Sequence, residues 1–103
     1  MAVKRESRED VATRERPRTA RPKRFRVILF NDDYTTQDFV VDIRVSIFRK
    51  SPAEAMQVML KVHREGRGVA GIYPKDVAET KVLLVHEAAR SDGFPLRAGL
   101  EEE

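Results

Sequence analysis

The stretch Arg24-Phe25-Arg26-Val27-Ile28-Leu29-Phe30 runs directly into Asn31-Asp32-Asp33, and its reading decides the fold. Its first residues alternate and then turn wholly apolar, rich in β-branched and aromatic side chains, which predicts a strand. The Asx-rich triplet is turn chemistry and stops it. Thr35 or Thr36 can then cap a helix whose first turn holds Gln37 and Asp38. In that helix Phe39, Val40, Ile43, Ile47 and Phe48 recur at helical spacing, and it is expected to end near Lys50.

Working outward, Ser51-Pro52-Ala53-Glu54 supplies a hydroxyl N-cap, a proline at the first helical position and the glutamate of a capping box. The second helix carries Ala55, Met56, Met59, Leu60, Val62 and His63 along one stripe, and Gly66 stands where a left-handed residue closes a helix. Val69 to Tyr73 reads as a short strand closed by Pro74. Asp76 opens a third helix with Ala78, Val82, Val85 and Ala89 on its buried face. Asp92-Gly93 ends that helix, and Phe94 to Leu100 is the expected last strand. The order β-α-α-β-α-β predicts an α+β fold, a three-stranded antiparallel sheet with three helices on one face. So small a core leaves little room for a deep cleft, and any ligand site should be shallow.

The chain's 20 Lys and Arg exceed its 17 Asp and Glu, for a net charge of +3. Residues 1–24 hold nine of those basic residues and four of the acidic ones, a net of +5, so the other 79 residues carry −2. This basic segment contains Val3 and Val11 as its only large apolar residues, besides Pro17 and Pro22, and is expected to be disordered. A nucleic-acid partner would have only this tail to bind, and it is the alternative reading of the sequence. Mean hydropathy is −0.52, and no apolar run approaches the roughly 18 residues of a membrane span. No secretory or transit signal is apparent, which makes the cytoplasm the expected compartment. With zero Cys, disulfide scaffolds and thiol catalysis are excluded.

Asn31-Asp32-Asp33 is the densest polar cluster. Its side chains can bond their own backbone in a turn, or two carboxylates and an amide oxygen can face outward and suit a metal or an ammonium group. His63 is either a surface imidazole favoured by a helix C-terminus or a ligand group, and with His86 it has no metal-ligand spacing. No metal or cofactor is expected. Met56 and Met59 fill the core or wall an adaptable pocket. A hydrolase or acyltransferase would have to use His63 and Asp33, but there is no nucleophile motif or phosphate-cradling glycine loop.

Taken together, Val27 to Thr35 (V-I-L-F-N-D-D-Y-T), Met59 to His63 (M-L-K-V-H), Gly71-Ile72-Tyr73, Val77 to Val82 (V-A-E-T-K-V) and Phe94-Pro95-Leu96 resemble the ClpS family. These proteins are adaptors of the bacterial Clp protease, and the resemblance runs from Phe25 to about Glu101. It implies an adaptor core at residues 25–103 and no catalysis of its own. It implies capture of proteins that begin with Leu, Phe, Tyr or Trp, and their transfer to the N-terminal domain of the AAA+ unfoldase ClpA. The family's α-amino-binding residues match Asn31, Asp33 and His63. Its side-chain pocket matches Ile28, Thr35, Val40, Met59, Val62 and Leu96, with Asp32 beside the peptide backbone. Gln37 stands at the rim where the family usually has Met, and altered selectivity is expected there. The unfoldase-docking surface matches Asp76, Glu79, Thr80 and Lys81. The basic tail is similar in position to the family's mobile extension, and a monomer is expected.

Overall fold

A computed structural model describes residues 22–103. In chain order the elements are β1 (Arg24–Phe30), α1 (Gln37–Ser46), α2 (Pro52–Glu65), β2 (Arg67–Pro74), α3 (Lys75–Asp92) and β3 (Arg97–Glu102). The three strands form one antiparallel sheet in the order β2-β1-β3, so the strand that opens the fold lies in its middle. The expected α+β architecture and element order are both present.

The pleat of β1 separates two environments, because successive side chains leave a strand on opposite faces. Val27 and Leu29, both fully buried, point into the core among Phe39, Ile43, Met59, Val85 and Leu96. Arg26, Ile28 and Phe30 therefore take the other face. There Arg26 and Arg67 both reach Glu101, at 3.5 and 2.9 Å. Phe30 lies under the Arg67 guanidinium at 5.9 Å.

The helix signals in the sequence act as expected. Thr36 caps α1 by accepting from the Phe39 N–H at 3.2 Å. Ser51 and Glu54 close a reciprocal capping box on α2, each bond 3.2 Å long. Gly66, at φ 88°, ends α2 in the left-handed conformation that a side chain would strain. Beside it, a Cβ on Gly68 would come within 2.9 Å of a Val62 methyl, so glycine lets α2 lie close on β2.

Several boundaries differ from expectation, among them β2, which begins at Arg67 rather than Val69. α1 ends at Ser46 rather than near Lys50, because the chain turns through Arg49 at φ 57° and the Lys50 N–H returns to the Arg44 carbonyl. Phe48 is buried all the same, from the turn. β3 begins at Arg97, not Phe94: the Phe94 N–H is spent on Ala89 at the end of α3, and Pro95 has no N–H for the ladder. At the other end, Arg24 belongs to β1 and binds Glu103 with both guanidinium arms, at 2.6 and 2.9 Å. The domain thus begins before Phe25, while residues 1–21, which hold most of the expected disordered tail, lie outside the described residues. The expected stripe of α2 narrows to Ala55, Met59 and Val62, with Met56, Leu60 and His63 exposed along its edges.

One buried charge was not foreseen. Arg44 on α1 is 3% exposed, and its Nη1 donates to the carbonyls of Val69 (3.2 Å) and Ala70. The β1–β2 register slips at this point, pairing Val27 with Gly71 but Ile28 with Val69, so Ala70 is the extra residue of a bulge. Burial pulls the guanidinium below its ordinary pKa, and nearby Tyr73 and Glu54 oppose that shift. Arg44 satisfies carbonyls that the bulge removes from the ladder. Arg44→Ala should therefore lower stability by about 2–4 kcal/mol, through unpaired carbonyls and the space left behind. Urea denaturation checks this, and an unchanged midpoint would contradict it.

Candidate functional site

The end of β1 and the end of α2 meet through one backbone bond, from the Asn31 N–H to the Gly66 carbonyl at 2.9 Å. This sets the Asn31–Asp33 turn beside the last turn of α2, which carries His63. Between them and the start of α1 lies a cavity of ≈ 420 Å³. Asn31, Asp33 and His63 form part of its lining, and Val40, Met59 and Val62 contribute apolar wall. Thr35 and Gln37 line it as well, Gln37 from the exposed first position of α1.

The two carboxylates of the acidic turn differ in their bonding. Asp32 Oδ1 accepts from the backbone N–H groups of Tyr34 (2.8 Å) and Thr35 (2.7 Å), and Oδ2 accepts from the Thr35 hydroxyl at 2.7 Å. Asp32 is the turn residue. Among the described residues, the side chains of Asn31, Asp33 and His63 make no hydrogen bond to protein. All three are exposed at the cavity, where an amide oxygen, a carboxylate and an imidazole nitrogen can accept bonds from an ammonium group. The neighbouring hydroxyls are engaged in structure: Thr35 donates to Asp32, and Thr36 caps α1.

Two expected pocket residues lie elsewhere. Ile28 is on the opposite face of the sheet from the core, so it does not wall this cavity; its neighbours Val27 and Leu29 are the residues of β1 that face the helices. Leu96 is buried in the core and borders a shallow depression with His86 and Phe94. Conversely, Tyr34 and Thr36 line the cavity although the sequence did not single them out as ligand groups. Their signal was adjacency to the N-D-D turn. On α3, Asp76, Glu79 and Thr80 are exposed, whereas the Lys81 ammonium donates to the Ile47 carbonyl at 2.6 Å and lies over the Tyr73 ring. Lys81 joins α3 to the end of α1. His86 is structural too, its Nε2 accepting from the Ala98 N–H at 3.0 Å.

Among the described residues, no cluster of His, Asp and Glu could hold a metal, and no helix is long and apolar enough to cross a membrane. Residues 20–99 match the family model of the ATP-dependent Clp protease adaptor protein ClpS. The chain is 65% identical over 83 residues to the ATP-dependent Clp protease adapter protein ClpS of Wolinella succinogenes, covering 81% of each chain. It is 53% identical over 96 residues to that of Oleidesulfovibrio alaskensis, covering 93% of this chain and 92% of the relative. The structure of Agrobacterium tumefaciens ClpS2 bound to L-phenylalaninamide superposes with a TM-score of 0.77 at 38% identity, over 81% of this chain and 100% of the other.

Burial alone would push the Asp32 carboxyl up, but the bonds from Thr35 and Tyr34 outweigh it and hold the pKa below its ordinary value. A depressed carboxylate stabilises the fold at pH above its unfolded pKa, about 4, and that stability is lost as pH falls through the folded pKa. Asp32→Ala should cost about 1–2 kcal/mol at neutral pH and progressively less below pH 4. Urea midpoints at pH 7 and pH 3 test this; an equal cost at both would show that the ionised turn is not the source.

Proposed function

The chain belongs to the ClpS family of Clp protease adaptors, and from that premise we propose that it captures proteins by a free N-terminal Leu, Phe, Tyr or Trp and delivers them to the unfoldase ClpA. The observation that carries this reading is the joining of unlike walls in one cavity. Asn31, Asp33 and His63 offer acceptors, and Val40, Met59 and Val62 offer apolar surface. A free α-amino group has a pKa near 8 and is mostly charged at neutral pH, so it donates up to three charge-assisted bonds to that acceptor set. The imidazole must be neutral to take its share. A bulky apolar side chain on the same residue supplies the other half, about 1.5–3 kcal/mol on full burial. The L-phenylalaninamide bound to Agrobacterium tumefaciens ClpS2 has this pairing of amine and bulky side chain.

Selectivity is set at the rim. Gln37 presents a polar amide at the cavity mouth, and this should relax discrimination against β-branched first residues. Delivery is assigned to the exposed start of α3, where Asp76, Glu79 and Thr80 form an accessible polar surface on the N-terminal domain's side of the exchange. Lys81 contributes to it as an anchor of that helix.

Fluorescence anisotropy with a Leu-initiated peptide, free and N-acetylated, tests capture. The free peptide should bind and the acetylated one should bind at least about 30-fold more weakly, because acetylation deletes the charge opposite Asp33. Equal binding of the two would refute amine recognition. In the same assay Gln37→Met should widen the gap between Leu- and Ile-initiated peptides; an unchanged ranking removes Gln37 from the account of selectivity.

The docking assignment makes a separable prediction. Glu79→Lys should leave peptide affinity within about twofold, since Glu79 is absent from the cavity lining, and should abolish adaptor-dependent degradation of a Leu-initiated reporter by ClpA and its peptidase. Undiminished degradation would place the docking surface elsewhere.

A further inference from the structure

Beside the first cavity lies a larger one, of ≈ 580 Å³. The two share the wall from Asn31 to Tyr34, and the rest of the larger one is lined by Phe30, Pro95 and Arg97. Tyr34 is 77% exposed, although a tyrosine ring ordinarily finds apolar cover. Phe30 is half-buried. Arg97 forms no ion pair or side-chain hydrogen bond with any described residue, which leaves its planar guanidinium available to lie on an aromatic face. Asp32 does not select a charged occupant, since both its oxygens are turned into the loop.

A peptide whose first side chain fills the smaller cavity can leave it across the shared turn. In an extended chain successive side chains point to opposite sides, and alternate ones return to the same side about 6.6–6.8 Å further along. The first and third side chains then face the protein together, and the second faces solvent.

We propose that the larger cavity receives the third residue of a bound N-terminus and favours an aromatic side chain there, set among Tyr34, Phe30 and Pro95 with Arg97 against its ring. This rests on the capture reading above and extends it from one residue to a three-residue register. The occupant is a part of the substrate already held next door, so continuity of the two cavities identifies it.

The test is anisotropy with four free, labelled peptides of equal length that begin Leu-Ala-Ala, Leu-Ala-Phe, Leu-Phe-Ala and Leu-Ala-Glu. Leu-Ala-Phe should bind about five- to tenfold more tightly than Leu-Ala-Ala, and Leu-Phe-Ala should show no such gain. Arg97→Ala should remove about two- to fivefold of the gain and leave Leu-Ala-Ala unchanged. Equal affinities for Leu-Ala-Phe and Leu-Ala-Ala overturn the proposal. So does a gain for Leu-Phe-Ala as large as that for Leu-Ala-Phe, or a preference for Leu-Ala-Glu, which would make Arg97 an ion-pair partner. Where Leu-Ala-Ala still binds and is lost on acetylation, such results sink the third-residue proposal alone. If no Leu-initiated peptide binds, capture and register fall together.

Discussion

The two-residue repeat of the middle strand is the constraint from which the rest follows. Val27 and Leu29 are fully buried against the helices, and their positions oblige Arg26, Ile28 and Phe30 to take the opposite face. Among the described residues no helix covers that face, and long side chains finish it, with Arg26 and Arg67 converging on Glu101. The same repeat decides where the chain emerges. Asn31 follows the last residue of the strand, and its N–H donates to the Gly66 carbonyl at the end of α2. One cavity opens on the helical side of the turn, the other toward Phe30 and Arg97.

Much of this was legible in the residues because each helix carries its own punctuation. Thr36, Ser51 with Glu54, Gly66 and Gly93 all act locally, through bonds to backbone groups a few residues away, and local chemistry is what sequence spacing reports. What was not legible depended on partners distant in sequence. Val27-Ile28-Leu29 is apolar throughout, and when both faces of a strand are apolar the alternation that would tell them apart is invisible. The family resemblance placed Ile28 in the pocket and nothing in that run spoke against it, although the pleat turns it away. Phe94 appeared to begin a strand, but Ala89 claims its N–H. Arg44 broke the apolar rhythm of α1 by one residue, a position four after Val40. Nothing nearby in sequence indicated that bulge carbonyls 25 and 26 residues later would hold it.

Charge follows the same division between local and distant effects. Whole-chain arithmetic describes a basic protein, yet the residues after the tail sum to −2. Within that surplus of acid, adjacent carboxylates have different surroundings. Asp32 spends both oxygens on three bonds inside the turn. Asp33 is left with its lone pairs facing the cavity. In N-D-D one carboxylate therefore makes the loop, and the next is left out of those bonds at the cavity. The turn reading of the motif thus holds for Asp32.

Such an arrangement suits recognition without chemistry. Binding a flexible peptide end already costs the ordering of that end, and a receptor loop that had to order as well would add to the cost. Three bonds to Asp32, the Asn31 bond to Gly66 and the Thr36 cap settle the loop before a ligand arrives. The hydroxyls that might have served as nucleophiles are consumed in doing so. The acceptors that remain, on Asn31, Asp33 and His63, come from a strand end and a helix end fixed to one another through Gly66. A core this small cannot enclose a ligand, but it can fix the backbone beneath three polar side chains at the lip of an apolar depression. Preorganisation at the surface takes the place of depth.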